Sequence, residues 1–212
     1  MRDARDLCRD KSLIVRQRVA TINKIKYHAF CNGIKVGRLG KKTMKILSKE
    51  PKLELLIKQL ENTDEAIEAY NERIEEMVRN GDSRICHYAR LIDTIPGFGP
   101  HSSLVVAAEI DDINRFPNEF HLFSHSGVVP RIYQSGDKEW KGHITKGNTF
   151  LKTTLLQCAN IHVMRSKNSV VTYWYENNKY RIGKKKAKVA VMKRLLRVIY
   201  WMLKRNEEYH DL

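Results

Sequence analysis

The stretch Leu91–Ile110 reads LIDTIPGFGPHSSLVVAAEI, and the interpretation of the 212-residue chain starts from it. An apolar segment leads into Ile95–Gly99 (IPGFG), and a second apolar segment starts at Leu104. Two glycines around one apolar residue allow the backbone to take positive φ, where other side chains would clash. We therefore predict a helix, a tight turn and a second helix. The N–H groups of the turn and of the second helix's first residues are expected to point outward together.

This geometry would form a cradle for a phosphate, and the pattern resembles the helix-hairpin-helix motif. Such hairpins hold the nucleic-acid backbone without reading base sequence. The alternative is a plain turn between two helices, since Pro and Gly are common in turns. On the first interpretation, the candidates for nucleic-acid binding are Ile95, Gly97, Gly99 and His101.

Upstream of this stretch, residues 51–79 carry apolar side chains at heptad spacing. One set recurs at Leu53, Leu60, Ile67 and Ile74, and a complementary set recurs at Leu56, Thr63, Tyr70 and Met77. This a/d pattern over about four heptads predicts a long helix with acidic flanks. Its partner is the helix predicted over 3–30, in an intramolecular hairpin, or a second copy of the chain, or both.

The remaining segments predict a mainly α fold. Glycines within 32–42 mark a break, and a short helix is expected around Thr43–Leu47. Further helices are expected within 112–130 and over 149–165 and 187–206, with a loop or short hairpin over 131–148. We predict two domains: a helical linker and coiled-coil segment over 1–82, and a compact helical domain with the helix-hairpin-helix-like turn over 83–212.

The chain is strongly basic, with 39 Lys and Arg against 24 Asp and Glu and a formal net charge of +15. The excess lies in two blocks. Residues 1–50 hold 14 basic and 4 acidic side chains, a net of +10, and residues 131–212 hold 18 and 6, a net of +12. Two separate basic blocks predict two contact surfaces for nucleic acid. The alternative is a set of solvated helix faces with no partner.

The sequence predicts neither a metal site nor a membrane segment. The cysteines are Cys8, Cys31, Cys86 and Cys158. They form no C-x-x-C pair and no zinc-finger pattern, so they are expected to be free thiols in a reducing cytoplasm. His121 and His125 have a spacing that suits one helix face, but no third metal ligand is evident. The charged start and the lack of a long apolar run predict a soluble chain with no membrane segment.

The polar segment Arg131–Asn148 contains a candidate nucleophile. Ser135 precedes Gly136, so its hydroxyl can be exposed on a turn. Nearby cations could stabilise charge on a phosphate under attack, and they are Arg131, Lys138, Lys141 and Lys146. A serine hydroxyl needs a base for activation, and His143 is a candidate by proximity alone. The alternative is that Ser135 is an ordinary turn residue.

The order of short motifs along residues 91–152 is specific, although no single motif is. The motifs are Leu91–Ile110, Arg115–Pro117, Ser126–Pro130, Ser135-Gly136, Gly142–Asn148 and Leu151-Lys152. Together they resemble the C-terminal domain of insertion-sequence one-ten type transposases, also described as DEDD transposases or bridge-RNA-guided recombinases. The resemblance covers residues 90–212 and extends weakly through 3–80, which is similar to the family's linker and coiled-coil region.

The resemblance implies a site-specific recombinase that moves an insertion element in DNA. Family members pair an N-terminal RuvC-like domain, which carries four metal-binding acidic residues, with a C-terminal domain that carries a nucleophilic serine. By motif position, that serine is Ser135. A structured RNA from the element guides the DNA partners, and the enzyme assembles as an oligomer through its coiled coil, here residues 51–79.

The sequence departs from the family pattern at three places. The RuvC-like acidic set is missing, so Mg²⁺ is expected only in that domain and no metal or cofactor is expected in this chain. Lys146 stands alone before Gly147, where the family has a basic pair, and Lys152 replaces the usual Arg, which loses bidentate phosphate geometry. The resemblance thus implies a C-terminal fragment that is catalytic only with a RuvC-like domain. The alternative is a non-catalytic DNA- or RNA-binding or oligomerisation module, a truncated remnant of an insertion element.

Overall fold

The computed structural model describes residues 2–34, 36–37, 39–40, 43–44, 47, 50–135, 138–144 and 147–211. For Arg2, Lys52 and the described part of 130–146, the description covers the backbone alone. The chain divides into two compact units. The first, here the C-terminal unit, comprises Met1–Arg5 and Glu75–Leu212, and the second, here the N-terminal unit, comprises Asp6–Ile74. The predicted boundary after residue 82 stays a prediction.

The N-terminal unit is built on two long helices, α1 (Arg2–Cys31) and α2 (Pro51–Asn80), most of whose residues lie in it. Leu53, Ile57 and Leu60 of α2 are buried in one cluster with Ile25 and Ala29 of α1. The heptad pattern predicted from sequence therefore packs within the chain, because α1 covers this part of it. Of the short helix expected at 43–47, Thr43, Met44 and Leu47 are helical in the described part of the connecting segment.

A charged contact joins the same two helices. The guanidinium of Arg18 donates to both carboxylate oxygens of Asp64, and the hydrogen bond to Asp64 raises the pKa of Arg18. Both side chains are about 40% exposed, at 39% and 40%, so solvent screens the pair. The pair fixes the register of α1 and α2 rather than supplying much of their stability. An intramolecular helical hairpin, one of the two alternatives for residues 51–79, accounts for these contacts.

The C-terminal unit is mainly helical, as predicted, with one added β-hairpin. Its elements after α2 are α3 (Arg84–Asp93), α4 (Pro100–Ile110), a 3₁₀ turn (Ile113–Arg115), α5 (Glu119–Ser126), β1 (Pro130–Ser135), β2 (Lys138–Ile144), α6 (Thr149–Arg165), α7 (Val170–Asn178) and α8 (Lys184–Arg205). The sequence did not predict α7, and the loop-or-hairpin segment 131–148 contains a hairpin.

Helix α4 is the central element of this unit. Every residue from Ser103 to Ile110 is buried, which fits a helix of small and β-branched apolar residues surrounded by protein. It contacts α3 on one side and α6 on another, and α8 packs against α3, α5, α6 and α7. Arg5 also belongs to this unit, and its Nε donates to the carbonyl oxygen of Ala108 at 2.8 Å. The unit therefore has one core, organised by α4 and α8.

The turn between α3 and α4 packs tightly against α6. Gly97 has φ of +99°, the left-handed region that favours glycine. A Cβ at Gly97 would lie 2.6 Å from the backbone nitrogen of His162 and 3.0 Å from the carbonyl oxygen of Cys158. Glycine is therefore needed here for two reasons, the backbone conformation and the close approach of α6. The predicted positive φ is confirmed at Gly97.

The two strands form an antiparallel hairpin. The register pairs Ser135 with Lys138, Tyr133 with Trp140 and Pro130 with Ile144, with an irregularity between Pro130 and Ile132. Ser135 thus ends β1 at the tip of the described ladder, next to Gly136 and Asp137, which lie outside the described residues. In the described part of the chain, no helix has the length and apolar character needed to cross a membrane.

Replacing Leu53 by alanine should destabilise the N-terminal unit far more than replacing Leu55. Leu53 is 0% exposed, and Leu55, two residues along the same helix, is 76% exposed. Loss of a buried leucine leaves a cavity and costs about 2–5 kcal/mol, whereas an exposed truncation stays within about 0.5 kcal/mol. Urea unfolding followed by circular dichroism measures both. Equal losses for the two variants would contradict this packing of α2.

Gly97→Ala should lower the free energy of unfolding by about 2–4 kcal/mol, because it adds backbone strain and a clash with α6. Gly99→Ala is the matched control. Gly99 has φ of −151°, and a Cβ there would meet nothing within 4 Å, so its loss should stay below about 1 kcal/mol. Thermal unfolding of both variants tests this pair. A Gly97→Ala variant as stable as Gly99→Ala would show that the turn does not approach α6 as described.

Candidate functional site

The base of the β-hairpin is a direct contact between two backbones. A Cβ at Gly147 would lie 2.3 Å from the nitrogen and 2.4 Å from the Cα of Gly127, so only glycine fits there. Gly127 itself ends α5 with φ of +67°. The chain therefore enters the hairpin after α5 and returns from it at the same point, immediately before α6. The hairpin that carries Ser135 is anchored where the motifs Ser126–Pro130 and Gly142–Asn148 meet.

Asn148 fastens this base to the central helix. Its backbone N–H donates to the carbonyl oxygen of His125 at 3.0 Å, and its side-chain amide donates to Oε2 of Glu109 at 2.6 Å. Its side-chain oxygen accepts from the N–H of Leu151 at 3.0 Å and so caps α6. Glu109 is 4% exposed, so its carboxylate is held inside the unit with this amide as a partner. One asparagine thus links α4, α5, α6 and the hairpin.

His125 lies beside the same cluster. Nη2 of Arg115 lies 3.3 Å from Nε2 of His125, and since a guanidinium only donates, the ring nitrogen accepts. Burial lowers the pKa of His125, and the positive charge of Arg115 lowers it further. The imidazole is therefore held neutral beside the hairpin base. His121, one turn earlier, is exposed and is hydrogen-bonded to Asn118 instead. Among the described residues, no group of three or more His, Cys, Asp or Glu side chains could hold a metal ion.

The predicted catalytic and cationic residues lie along this hairpin. Ser135 is the last residue of β1, and Lys138 opposite it is the first of β2. Arg131 and Lys141 lie within the strands, and Lys141 pairs in register with Ile132. Of these residues and of His143 the structure describes the backbone alone, and Lys146 lies outside the described residues. The topology therefore brings their backbones to one hairpin.

Lys152 lies near the hairpin base. Its N–H donates to the carbonyl oxygen of Asn148 at 2.9 Å in the first turn of α6, and its side chain is half-buried. The position is one helical turn after the asparagine that anchors the hairpin. The structure thus brings this predicted cation near the base, while the others belong to the strands.

The α3–α4 turn differs from the predicted cradle in two respects. The N–H of Phe98 donates to the carbonyl oxygen of Ile95 at 3.0 Å, and the N–H of Gly99 donates to Oγ of Ser102 at 2.9 Å. These two groups are satisfied inside the turn, so the prediction that all the turn's N–H groups point outward is wrong for them. The predicted positive φ is also wrong for Gly99, whose extended backbone suits any residue.

The four residues of the α3–α4 turn that were predicted to bind nucleic acid differ in how accessible they are. Ile95 is 0% exposed and belongs to the core, so its side chain serves packing. Gly97 faces the backbone of α6, and His101, the second residue of α4, is half-buried. Gly99 alone among the glycines of this turn faces open space. A ligand that contacts the backbone of this turn would therefore approach from the Gly99 side.

His162 is a buried residue of the turn that sequence reasoning missed. Its Nδ1 lies 2.7 Å from the carbonyl oxygen of Pro96, and a carbonyl only accepts, so Nδ1 carries the proton. Nε2 then accepts from the hydroxyl of Ser169, 3.1 Å away. His162 and Ser169 are both 0% exposed. The turn is thus locked to α6 and to the start of α7. No motif marks this histidine, which lies far along the chain from Pro96.

The thiol of Cys158, near His162 on α6, is buried. Burial raises the pKa of Cys158 to about 11, against a smaller opposing effect of its hydrogen bond with Ser102. As predicted, no disulfide joins Cys8, Cys31, Cys86 and Cys158. Burial therefore disfavours the thiolate of Cys158, and the side chain contributes to the packing of α6 against α4.

Comparison with known proteins shows that the chain is similar to several transposases and to a gene-inverting protein. The chain is 29% identical over 223 residues to the transposase for insertion sequence element IS1111A of Coxiella burnetii, covering 98% of this chain and 60% of that protein. It is 27% identical over 217 residues to a probable family 20 transposase of Pseudomonas aeruginosa, covering 95% and 63%. It is 25% identical over 155 residues to the pilin gene-inverting protein of Moraxella bovis, covering 69% and 48%.

The chain spans 60% and 63% of the length of the first two of these relatives. Residues 89–175 match the family model described as Transposase IS116/IS110/IS902 family, and that range runs from within α3 to within α7. It contains the α3–α4 turn, the hairpin base and the strands that carry Ser135. The resemblance drawn from the order of the motifs is thereby confirmed: residues 89–175 are similar to the IS116/IS110/IS902 transposase family.

Proposed function

We propose that the chain is the C-terminal part of a transposase, a site-specific recombinase that acts in DNA transposition. It holds DNA with the α3–α4 turn and with its basic residues, and it presents Ser135 as the nucleophile when a RuvC-like domain is supplied. The observation that carries the proposal is the position of Ser135. It ends β1 opposite Lys138, in a hairpin whose base is locked into the domain that matches the transposase family.

The anchored base supports a catalytic role for the hairpin. A nucleophile must be held within a fraction of an ångström of its attack position, and rigid supports achieve this better than free loops. Gly127, Gly147 and Asn148 fix both ends of the hairpin to α4, α5 and α6. Lys152 lies one turn into α6 from this base. The hairpin can therefore place Ser135 relative to DNA that is bound elsewhere on the same unit.

The proposed step is a phosphoryl transfer to serine. Oγ of Ser135 forms a bond to the phosphorus of a DNA phosphodiester, and one phosphorus–oxygen bond to the neighbouring deoxyribose breaks. The serine proton passes to a base, and the departing DNA end leaves as a hydroxyl after taking up a proton. Arg131, Lys138, Lys141 and Lys146 are proposed to stabilise the negative charge that develops on the phosphate. His143, the candidate base by sequence proximity, is next to Ile144, which pairs with Pro130 at the opposite end of the ladder from Ser135, so no base is assigned from this hairpin.

DNA contact by the α3–α4 turn is proposed to be of the helix-hairpin-helix type. The open side of the turn at Gly99 lets a phosphate approach the start of α4, where the helix dipole favours negative charge. Such a contact needs backbone atoms rather than particular bases, so it would hold DNA without reading sequence. The basic block of residues 131–212 supplies the long-range attraction.

We also propose an RNA partner and self-association of the chain. The family resemblance implies an element-encoded guide RNA and a homo-oligomer assembled through residues 51–79 as a coiled coil. In the N-terminal unit, large apolar side chains at Leu55 of α2 and at Tyr27 and Phe30 of α1 are 76%, 66% and 73% exposed. An oligomer would cover these side chains, because the buried heptad positions already pack against α1. The cytoplasm, where chromosomal DNA and guide RNA meet, is the proposed location.

Binding of the chain to duplex DNA should weaken steeply with salt. For ionic contacts, the slope of log affinity against log salt is about −0.9 per phosphate contacted. Gly99→Ala should lower the affinity severalfold while stability stays close to that of the wild type, because the added methyl group occupies the open side of the turn. Fluorescence anisotropy with a labelled duplex across a salt series measures both quantities. A salt-independent affinity, or a Gly99→Ala variant that binds as well as wild type, would contradict this role for the turn.

Ser135→Ala should abolish a covalent protein–DNA adduct while DNA affinity is unchanged. The assay mixes the chain with the RuvC-like domain of a related transposase, Mg²⁺ and labelled element-end DNA, and resolves the products on a denaturing gel. Ser124→Ala is the matched control, because Ser124 is an exposed serine on α5 outside the hairpin. An adduct that survives Ser135→Ala would rule out this nucleophile. A wild-type chain that binds DNA but never forms an adduct would support the non-catalytic binding module instead.

A further inference from the structure

The outer face of α8 is cationic along its whole length. The helix contains no Asp or Glu, and Val191, Leu195 and Ile199 are buried on its inner side. Its basic residues are Lys184, Lys185, Lys186, Lys188, Lys193, Arg194, Arg197, Lys204 and Arg205. None of these residues belongs to the hairpin or to the α3–α4 turn. The second basic block of the sequence therefore supplies a surface that the proposed catalytic site does not use.

Aromatic rings lie directly beside several of these cations. The guanidinium of Arg194 lies 4.3 Å from the ring centroid of Trp174 on α7, and that of Arg205 lies 5.3 Å from the ring of Trp201. Trp201 is 45% exposed. Cations over aromatic faces are attracted by the ring quadrupole, so both arginines are held in place rather than freely mobile. The surface thus combines fixed positive charge with accessible flat rings.

The positive charges on this face are crowded. Burial lowers the pKa of Arg194, and the neighbouring charge of Arg197 lowers it further. Arg194 remains protonated, since an arginine does not lose its proton in a protein. Two like charges held near each other favour an anion between them, although Glu119 already offsets part of the charge of Arg197 and a phosphate would compete with it. The effect of Arg197 on the pKa of Arg194 is consistent with their positions, because both side chains line one hollow beside α8.

Two adjoining hollows form one groove. One has a volume of about 340 Å³ and is lined by residues of α8, including Arg197, Trp201 and Arg205, together with Glu207, Glu208 and His210. The other has a volume of about 140 Å³, and its lining includes Val170, Arg194 and Arg197 together with the carboxylate of Asp211. Arg197, Val198 and His210 line both, so the hollows are continuous, and we call them the α8 groove.

We propose that the α8 groove binds an unpaired nucleic-acid strand, with Arg194 and Arg197 on its phosphates and a base stacked on Trp201. Duplex DNA presents phosphates but keeps its bases stacked inside, whereas a single strand offers both groups at once. Basic grooves with accessible aromatic rings are the usual sites for single strands. This proposal deepens the proposed handling of nucleic acid and rests on it, although it uses residues other than Ser135 and the α3–α4 turn.

Acidic residues at the groove set its orientation. Glu119 accepts from Nε of Arg197 at 2.7 Å and from Nε1 of Trp201 at 2.9 Å, which fixes the indole in the absence of a ligand. Glu207 and Glu208 line the Trp201 end of the groove and repel phosphate. Asp211 lines the Arg194 end, so both ends of the groove carry carboxylates. In the proposed complex the phosphates contact the guanidiniums of Arg194 and Arg197 between these ends, and the bases turn toward Trp201. Removing the two rim charges in E207Q/E208Q should tighten binding.

The test measures binding of labelled oligo(dT), oligo(U) and a DNA duplex of equal length to the full chain by fluorescence anisotropy, at several salt concentrations. Trp201→Leu should weaken single-strand binding about tenfold, in line with the contribution of one stacked base. Trp201→Phe should stay within about threefold of wild type, because phenylalanine can still stack. Both variants lose the hydrogen bond to Glu119, so the comparison isolates stacking. Circular dichroism confirms that each variant is folded.

A charge-matched pair tests the phosphate contact. Arg197→Gln should weaken single-strand binding and reduce the magnitude of the salt slope by about 0.7, the value for one phosphate of a single strand. Arg79→Gln makes the same charge change on an exposed residue of α2 that does not line the groove, and it should leave the slope unchanged. Binding of both oligo(dT) and oligo(U) supports the proposal, and a preference for one identifies the strand as DNA or RNA.

Several results would overturn the proposal. These are equal affinity for the duplex and the single strands, equal effects of Arg197→Gln and Arg79→Gln, or no effect of Trp201→Leu. Displacement of the strand by poly-glutamate at matched charge would assign the groove to an acidic polypeptide. If the groove variants have no effect while Gly99→Ala weakens duplex binding, this inference fails and the proposed function stands. If the chain binds no nucleic acid at about 50 mM salt, both fail.

Discussion

The backbone contact between Gly127 and Gly147 is the constraint on which the site depends. Because no Cβ fits at Gly147, the chain can leave α5 and return to α6 at one point only by placing glycines there. Between the two residues lie the antiparallel strands Pro130–Ser135 and Lys138–Ile144. Asn148 extends the constraint to the buried Glu109 of α4. The position of Ser135 follows from these contacts.

A second glycine contact organises the opposite part of the unit. Gly97 brings the α3–α4 turn against the backbone of α6, and His162 bonds the turn's carbonyl oxygen at Pro96. Helix α6 therefore meets both the turn and the hairpin base, one toward its C-terminal half and one at its N-terminus. Since α6 is a rigid element, the two candidate DNA contacts keep a fixed separation. This shared support gives a physical reason for both motifs to occur in one domain.

Local patterns predicted much of this architecture. The heptad spacing of Leu53, Leu60 and Ile74 gave the long helix α2, and the glycine-flanked turn gave two helices and the positive φ of Gly97. What depends on distant packing was not predictable. His162 and Gly97 meet only in the fold, and the helix α7 has too few periodic apolar residues to stand out, although Ser169 before Val170-Val171 is a usable N-cap signal. The stacking of Arg194 on Trp174 likewise needs the packing of α7 on α8.

The central claim is that the hairpin places Ser135 as the group that bonds to DNA. Mass-spectrometric sequencing of the protein–DNA adduct, after digestion with protease and nuclease, tests this claim without relying on a substitution. We expect a single modified peptide, spanning the β1–β2 hairpin, with the residual phosphonucleotide on Ser135. A nucleotide attached to any other residue, such as Ser102 or Ser124, would contradict it.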